Sequence, residues 1–242
     1  MTNQPSDVYQ HTRKTNYISQ VSIDCVIFGF HDKQLKVLVL KFKNSDVFAL
    51  PGGFIRNDED IDAAAARVLW ERAGVKDIYL EQFATFGKVG RNNPALSMQL
   101  LEAAGKPLRD NHWIYDRFLS VGYYALVDFT QVIPQVDEIS DSCQWYDIQE
   151  VPPLFIDHPQ IMEKALFCLR RDIDNQAITS NLLPEFFTMG ELQVLYETIL
   201  GTSLVRTNFQ RKMLSSSKLE RIEKKYTGGA HRAPYLYRFK RM

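Results

Sequence analysis

Two glutamates and three arginines crowd the stretch GGFIRNDEDIDAAAARVLWERAGV, residues 52–75: Glu59 and Glu71, with Arg56, Arg67 and Arg72. Carboxylate oxygens suit a hard ion such as Mg²⁺, which prefers near-octahedral oxygen ligation. Guanidinium groups suit phosphate oxygens, which they meet with paired N–H donors. The chemistry on offer is that of a phosphate or pyrophosphate site. Positions 68, 71 and 72 are spaced i, i+3, i+4 and share one helix face, and they hold valine, glutamate and arginine. Valine has no ligand atom and arginine is a fixed cation, so Glu59 and Glu71 alone bind Mg²⁺ weakly. The expectation is a ligand pocket formed by Arg56, Glu59, Arg67, Glu71 and Arg72, with no catalytic residue and no metal. The alternative is a stretch that only closes the core, with Glu71 a solvated surface acid.

Several elements must position these groups. The runs VSIDCVIFGF and LKVLVLKF, split by HDKQ, predict a hairpin. VFALPGGFI predicts a short strand ending in a Pro-Gly-Gly turn, and DIDAAAARVLWERAG a helix started by Asp60 or Asp62 and closed by Gly74. IYLEQFATFGKV, Phe118–Phe129 and CQWYDI predict further strands. Between Gly90 and Arg117 lies a connection long for a hairpin, with a short helix expected at SMQLLEAAG. Another helix is expected after Asp157 as N-cap, with Gln160 three residues on and Ile161, Ala165, Leu166, Cys168 and Leu169 buried. NQAITSNLLPEFF predicts a linker.

The pattern changes at Thr188. The chain as a whole is neutral, with 29 basic and 29 acidic residues, yet residues 188–242 carry 11 basic and 4 acidic ones. Thr188 and Glu191 have capping-box spacing, Leu192, Leu195, Tyr196 and Ile199 form an apolar stripe, and Gly201 ends the helix. A basic helix beginning near Val205 or Arg206 follows, then two strand-like runs around a Gly-Gly loop. Helix, turn, helix and hairpin make a winged helix-turn-helix, whose second helix enters the DNA major groove. Arg206, Thr207, Asn208, Arg211 and Lys212 are expected to face DNA, with Phe209 and Leu214 inward. Lys224, Lys225, Thr227, His231 and Arg232 are expected on the wing, against phosphates or the minor groove. The competing use of such a fold is dimerisation.

Composition narrows the classes. No apolar run approaches the roughly 20 residues of a membrane span, and the polar N-terminus lacks a signal core. Cys25, Cys143 and Cys168 are scattered and odd in number, which argues against disulfides or a zinc site and predicts a cytoplasmic protein. His112, His158 and His231 have no partner at metal-ligand spacing, and Trp70, Trp113 and Trp145 are expected in the core or a pocket wall.

Gly53, Glu59, Arg67, Leu69, Glu71, Gly74 and Val75 fall in register with the signature box of the Nudix family of pyrophosphate-cleaving proteins. Val68 and Arg72 stand where that pattern has metal-binding acids. With the basic C-terminal module, the chain resembles the Nudix-related transcriptional regulators of NAD metabolism over residues 18–242. The resemblance implies an α+β fold: an N-terminal Nudix-like α/β/α sandwich with a mixed sheet and a C-terminal winged helix-turn-helix. It implies a ligand-binding domain at 18–175 and a DNA-binding domain at 188–242, beside the flexible polar arm at 1–17 and the linker at 176–187 that the residues themselves predict. It implies a dimeric repressor of NAD-synthesis or salvage genes on a palindromic operator in double-stranded DNA, released by ADP-ribose or a related nucleotide. Release follows if the effector favours a state whose two DNA-reading helices no longer match the half-sites. In this family the box arginine orients the glutamates, and the 90–117 connection is usually shorter. Two rivals stand beside this reading: an activator, and an active Mg²⁺-dependent ADP-sugar pyrophosphatase using Glu81, Glu102 or Asp116.

Overall fold

From Ile23 to Phe30 the first strand is buried because both of its faces are covered. In β1 (Tyr17–His31), Ile23, Cys25 and Ile27 face one layer and Val26, Phe28 and Phe30 the other. The computed structural model describes residues 16–74, 76, 79–109, 112–225 and 233–240. The N-terminal arm expected over 1–17 lies outside them apart from Asn16 and Tyr17, as does Val75 of the box.

β1 turns directly into β2 (Gln34–Phe42) through Asp32 and Lys33, whose φ values are 45° and 67°. Paired left-handed residues match the twist of a two-residue hairpin. His31 and Gln34 therefore belong to the strands, where they pair.

The strand expected to end at Pro-Gly-Gly is instead two strands, β3 (Phe48–Ala49) and β4 (Gly52–Arg56). Gly52 and Gly53 open β4 rather than close its predecessor. The reason is steric, since a Cβ on Gly52 would lie 2.8 Å from the Ile23 carbonyl oxygen. Only glycine lets β4 come this close to β1.

Helix α1 (Ile61–Ala73) has Asp60 at its N-cap position and Gly74 at φ 68° beyond its end. After it come β5 (Leu80–Phe86), α2 (Pro94–Ala103), β6 (Leu119–Asp128), β7 (Ser140–Asp147) and α3 (His158–Arg171). The strands form a mixed seven-stranded sheet along β3-β2-β1-β6-β5, with β4 added to β1 and β7 to β2. β1 and β6 run parallel, Val21 beside Leu119 through Phe30 beside Asp128. One face packs Ile23, Cys25 and Ile27 against Ala64, Ala65, Val68 and Leu69 of α1. The other packs Val26 and Phe28 against Ile161, Ala165, Cys168 and Leu169 of α3. Each large aliphatic side chain so buried contributes about 1.5–3 kcal/mol. Leu166, expected with them, is only partly buried.

The described part of the 90–117 connection is tied to the sheet through Arg91. Asn93 caps α2 by accepting from the Leu96 N–H at 3.1 Å, and Pro94 opens the helix. The helix thus begins three residues before the SMQLLEAAG run. Arg91, 8 % exposed, lies 3.2 Å from Asp24 and 2.8 Å from Asp157. Asp24 also accepts from Ser120 Oγ at 2.5 Å. Asp157 occupies the N-cap position of α3 but makes no side-chain cap bond. Its carboxylate is spent on Arg91 instead, which corrects the capping expectation.

The segment 176–187 carries α4 (Gln176–Thr179), a 3₁₀ turn over Ser180–Leu182 and the start of β8 (Phe187–Thr188). Ile178 and Phe187 are buried in the same core as α3. α5 (Met189–Leu200) begins with the expected capping box: the Glu191 N–H donates to Thr188 Oγ1 at 3.2 Å, and the Thr188 N–H to Glu191 at 2.6 Å. α6 (Arg206–Ser215), β9 (Leu219–Lys224) and β10 (Tyr235–Phe239) complete the winged helix, with a small sheet in the order β8-β10-β9. Phe209 and Met213 of α6 point inward, while Leu214 is 49 % exposed. The inward stripe runs i, i+4 from Phe209, which puts Met213 rather than Leu214 in the core.

The two halves share one hydrophobic core. Leu192, Leu195, Tyr196 and Ile199 of α5 belong to the same cluster as Ile161 and Leu169 of α3. Arg170 Nε donates to the Ile199 carbonyl at 2.9 Å, at the C-terminal end of α5.

Candidate functional site

In the box, Arg67 is the hub. Its guanidinium reaches Glu59 at 2.6 Å, Glu71 at 3.1 Å and the Phe54 carbonyl at 2.8 Å. Glu59 also accepts from the Arg56 N–H at 2.8 Å, closing the loop between β4 and α1. Burial pushes the Glu59 carboxyl up, but the Arg67 hydrogen bond, the Arg56 N–H and both positive charges outweigh it and hold it below the usual range. Burial likewise works against the Arg67 cation, and Glu59 and Glu71 more than offset it. Arg67 thus orients the two acids.

Val68 and Arg72 lie beneath β4. Val68 is fully buried. A Cβ on Gly53 would stand 2.7 Å from Val68 Cγ2, so the valine fills the space under Gly53. Arg72 pairs with Asp137 at 2.9 Å and donates to the Gly52 carbonyl at 3.4 Å. Arg56 is the most exposed of the three arginines, at 46 %, and sits 3.8 Å from Glu71.

This donor set does not fit the divalent ion that the fold implies. Glu59 and Glu71 are bonded to Arg67, an arginine side chain stands at the third position and a buried valine at the fourth. Among the described residues no three His, Cys, Asp or Glu side chains gather as a metal site. The acids outside the box do not change this. Glu81 accepts from the Tyr79 hydroxyl at 2.5 Å, Asp116 from Gln20 at 3.3 Å, and Glu102 lies on α2.

Two surface cavities stand near the box. One, about 460 Å³, is lined by Asp62, Ala66, Leu80, Glu81, Gln82 and Tyr123. Its polar wall is the Tyr123 hydroxyl, bonded to Asp62 and 3.4 Å from Gln82. The other, about 380 Å³, is lined by Ser19, Gln20, Val21, Asp116, Arg117 and Leu119. None of the five box residues lines either one.

His158 is buried, and its Nδ1 accepts from the Leu50 N–H at 2.9 Å. His112 accepts from the Ile114 N–H at 3.3 Å. Trp113 packs between Phe54 and Phe118, and Trp145 against Phe129. Trp70 is 47 % exposed, with Lys76 Nζ 4.8 Å from its ring centre, so it belongs to the surface rather than the core.

On the winged helix, Arg206, Thr207, Asn208, Arg211 and Lys212 are all exposed on α6. Arg211 donates to Asn208 at 3.2 Å. Lys212, by contrast, is paired with Asp174 at 2.8 Å. At the wing, Lys225 pairs with Glu191 at 3.4 Å and Lys224 stands 5.8 Å from the Tyr235 ring centre. Thr227, His231 and Arg232 lie outside the described residues. Arg221 of β9, stacked 4.6 Å over the same ring, is a wing cation that the run LERIEKK did not single out.

The chain is similar to known proteins in both sequence and fold. Residues 18–165 match the model of the NUDIX domain, and residues 179–239 that of the NrtR DNA-binding winged helix domain. An ADPR responsive transcriptional repressor, NtrR, of Acinetobacter baylyi is 29 % identical over 235 residues, covering 94 % of this chain and 85 % of that protein. The crystal structure of Shewanella oneidensis NrtR complexed with a 27mer DNA superposes with a TM-score of 0.65 at 27 % identity, covering 91 % of this chain and 94 % of that one. A MutT/nudix family protein from Enterococcus faecalis shares the fold at a TM-score of 0.66 and 19 % identity, covering 96 % and 90 %. The Nudix match takes in more than half of the sequence, and the chain belongs to the Nudix family, with an NrtR DNA-binding winged helix domain following in the same polypeptide.

Proposed function

We propose that this chain is a DNA-binding transcriptional repressor whose Nudix half binds ADP-ribose, or a related NAD metabolite, and thereby releases DNA. One observation carries the reading: a single chain joins a Nudix box whose acids are spent on Arg67 to an NrtR-type winged helix with an exposed basic α6. The Nudix half then serves as a sensor and not as an enzyme.

Thr207, Asn208 and Arg211 read the major groove from the open face of α6, with Arg206 at its N-terminal end and Lys212 on its flank. Lys224, Lys225, Thr227, His231 and Arg232 serve the phosphates from the wing. Arg56, the most accessible box arginine, meets the diphosphate at the edge of the Arg67–Glu59–Glu71 network, with Arg72 beneath. No metal cofactor is required. The protein acts in the cytoplasm as a homodimer on a palindromic operator near NAD-synthesis or salvage genes, since twofold protein symmetry suits twofold half-sites.

The test is a titration of the protein into labelled DNA from upstream of its own gene and of neighbouring NAD genes, at fixed salt. Specific binding weakened by ADP-ribose is the expected result. Specific binding indifferent to ADP-ribose removes that effector. No specific binding at any salt returns the pyrophosphatase to first place.

A further inference from the structure

Asp174 lies in the turn between α3 and α4, and three parts of the winged helix converge on it. Lys212 Nζ of α6 is 3.0 and 2.8 Å from its two carboxylate oxygens. The Tyr196 hydroxyl of α5 stands beside the same carboxylate, whose charge adds to burial in raising the hydroxyl's pKa. Lys218 Nζ, just before β9, donates to the Asp174 carbonyl at 2.5 Å. The next two residues extend the junction. Asn175 donates to the Tyr79 hydroxyl at 3.2 Å, and Gln176 to the Lys240 carbonyl, just past β10, at 2.7 Å. Residues 174–176 thereby tie the rim of the large sheet to α6 and to both ends of the wing hairpin.

Lys212 sits on the flank of α6. Phe209 and Met213 define the inward side, and Thr207 and Arg211 fall on the opposite side at 100° per residue. The ammonium could swing toward that open side. Here Asp174 holds it toward the Nudix half, with the Tyr196 ring centre 5.8 Å away. The pair is accessible, Lys212 being 55 % and Asp174 48 % exposed. An exposed ion pair is weak and exchanges readily. A DNA phosphate is another anion seeking the same ammonium.

We propose that Asp174 is a built-in competitor for Lys212: it occupies the ammonium in the DNA-free protein, and the DNA backbone must displace it. This rests on the DNA-binding reading above. Asp174 is then a residue of the Nudix half that sets DNA affinity without touching DNA. Its link to Tyr79 through Asn175 puts that setting within reach of β5, where Leu80, Glu81 and Gln82 line the larger cavity.

The test is a double-mutant cycle on the full chain, titrating a labelled duplex at one low salt concentration. Asp174→Asn keeps the shape and hydrogen-bonding capacity for Tyr196 but removes the charge. It is expected to tighten binding about two- to fivefold, the range set by an exposed pair. In a Lys212→Ala background the same change is expected to do nothing. Asp174→Glu, which keeps the carboxylate, should bind close to wild type, and thermal melts establish that each variant is folded. Three results overturn the proposal while leaving DNA binding intact: no change in Asp174→Asn, weaker binding, or equal tightening in the Lys212→Ala background. Equal tightening would mean that Asp174 only adds to the general field. A wild-type chain that binds no duplex overturns the DNA-binding reading, and this proposal with it.

Discussion

Gly53 and Val68 are in contact across the junction of β4 and α1, so close that a Cβ on Gly53 would lie 2.7 Å from Val68 Cγ2. The valine side chain is fully buried and stiff at χ1. At this position the helix offers β4 an apolar wall and no ligand atom, so β4 rests on the valine.

Gly53→Ala should destabilise the protein by about 1–3 kcal/mol, the usual cost of overpacking. Chemical denaturation measures it. Adding Val68→Ala should recover part of the loss, because it removes the clashing methyl. If the double variant is no more stable than Gly53→Ala alone, the strain lies in the β4 backbone and not against Val68.

Val68→Glu with Arg72→Glu puts acids back at both divergent positions. Without metal, the pair should lower the melting temperature, since it places a carboxylate against Gly53 and deprives Asp137 of its partner. With Mg²⁺ the loss should shrink, because a ligand of the folded state stabilises it by mass action. Some Mg²⁺-dependent hydrolysis of ADP-ribose should appear, read as product release. A variant that neither gains Mg²⁺ stabilisation nor any hydrolysis would count against this account of the box.

The pH dependence of stability should fall into two windows. Burial holds the His158 pKa below its ordinary value, against the pull of Asp24 and Asp157. The folded state thus binds that proton less readily than the unfolded chain. This contribution is complete above the unfolded value of about 6.5 and is lost as pH falls below it. Glu59, whose pKa is also lowered, keeps its contribution until pH falls through about 4.3 and below. Urea midpoints measured across both windows should show two declines. His158→Gln, whose amide oxygen can still accept from the Leu50 N–H, should flatten the upper one only. An unchanged upper decline in that variant would assign it to another group.

What could be read from the residues in advance was local. The box helix, its Gly74 stop and the Thr188–Glu191 capping box each depend on residues within a few positions of one another. Their geometry follows from spacing. The Arg91 network could not be read that way, because Asp24 and Asp157 lie 67 and 66 positions away and meet only once the sheet has formed. The same holds for Asp174 and Lys212, which are 38 positions apart. Met213 and Leu214 were separable only by fixing the helix phase on Phe209, and both are apolar, so composition gave no guide.

Arg211 and Lys225 should fail in different ways on DNA. Arg211 is exposed on the open side of α6, and its hydrogen bond to Asn208 at 3.2 Å holds the two side chains as a unit. An arginine so presented suits the paired acceptors of a guanine edge. Arg211→Ala should then cost about 1–3 kcal/mol on the operator and little on unrelated duplex. Lys225 sits at the wing, 3.4 Å from Glu191, and a lysine ammonium there suits a phosphate, a point charge meeting a point charge. Lys225→Ala should weaken operator and unrelated duplex by similar factors and lower the salt slope by about 1. Titrating both variants against both duplexes at several salt concentrations separates the two roles. If Arg211→Ala weakens the two duplexes equally, Arg211 is a backbone contact and base reading passes to Thr207 and Asn208.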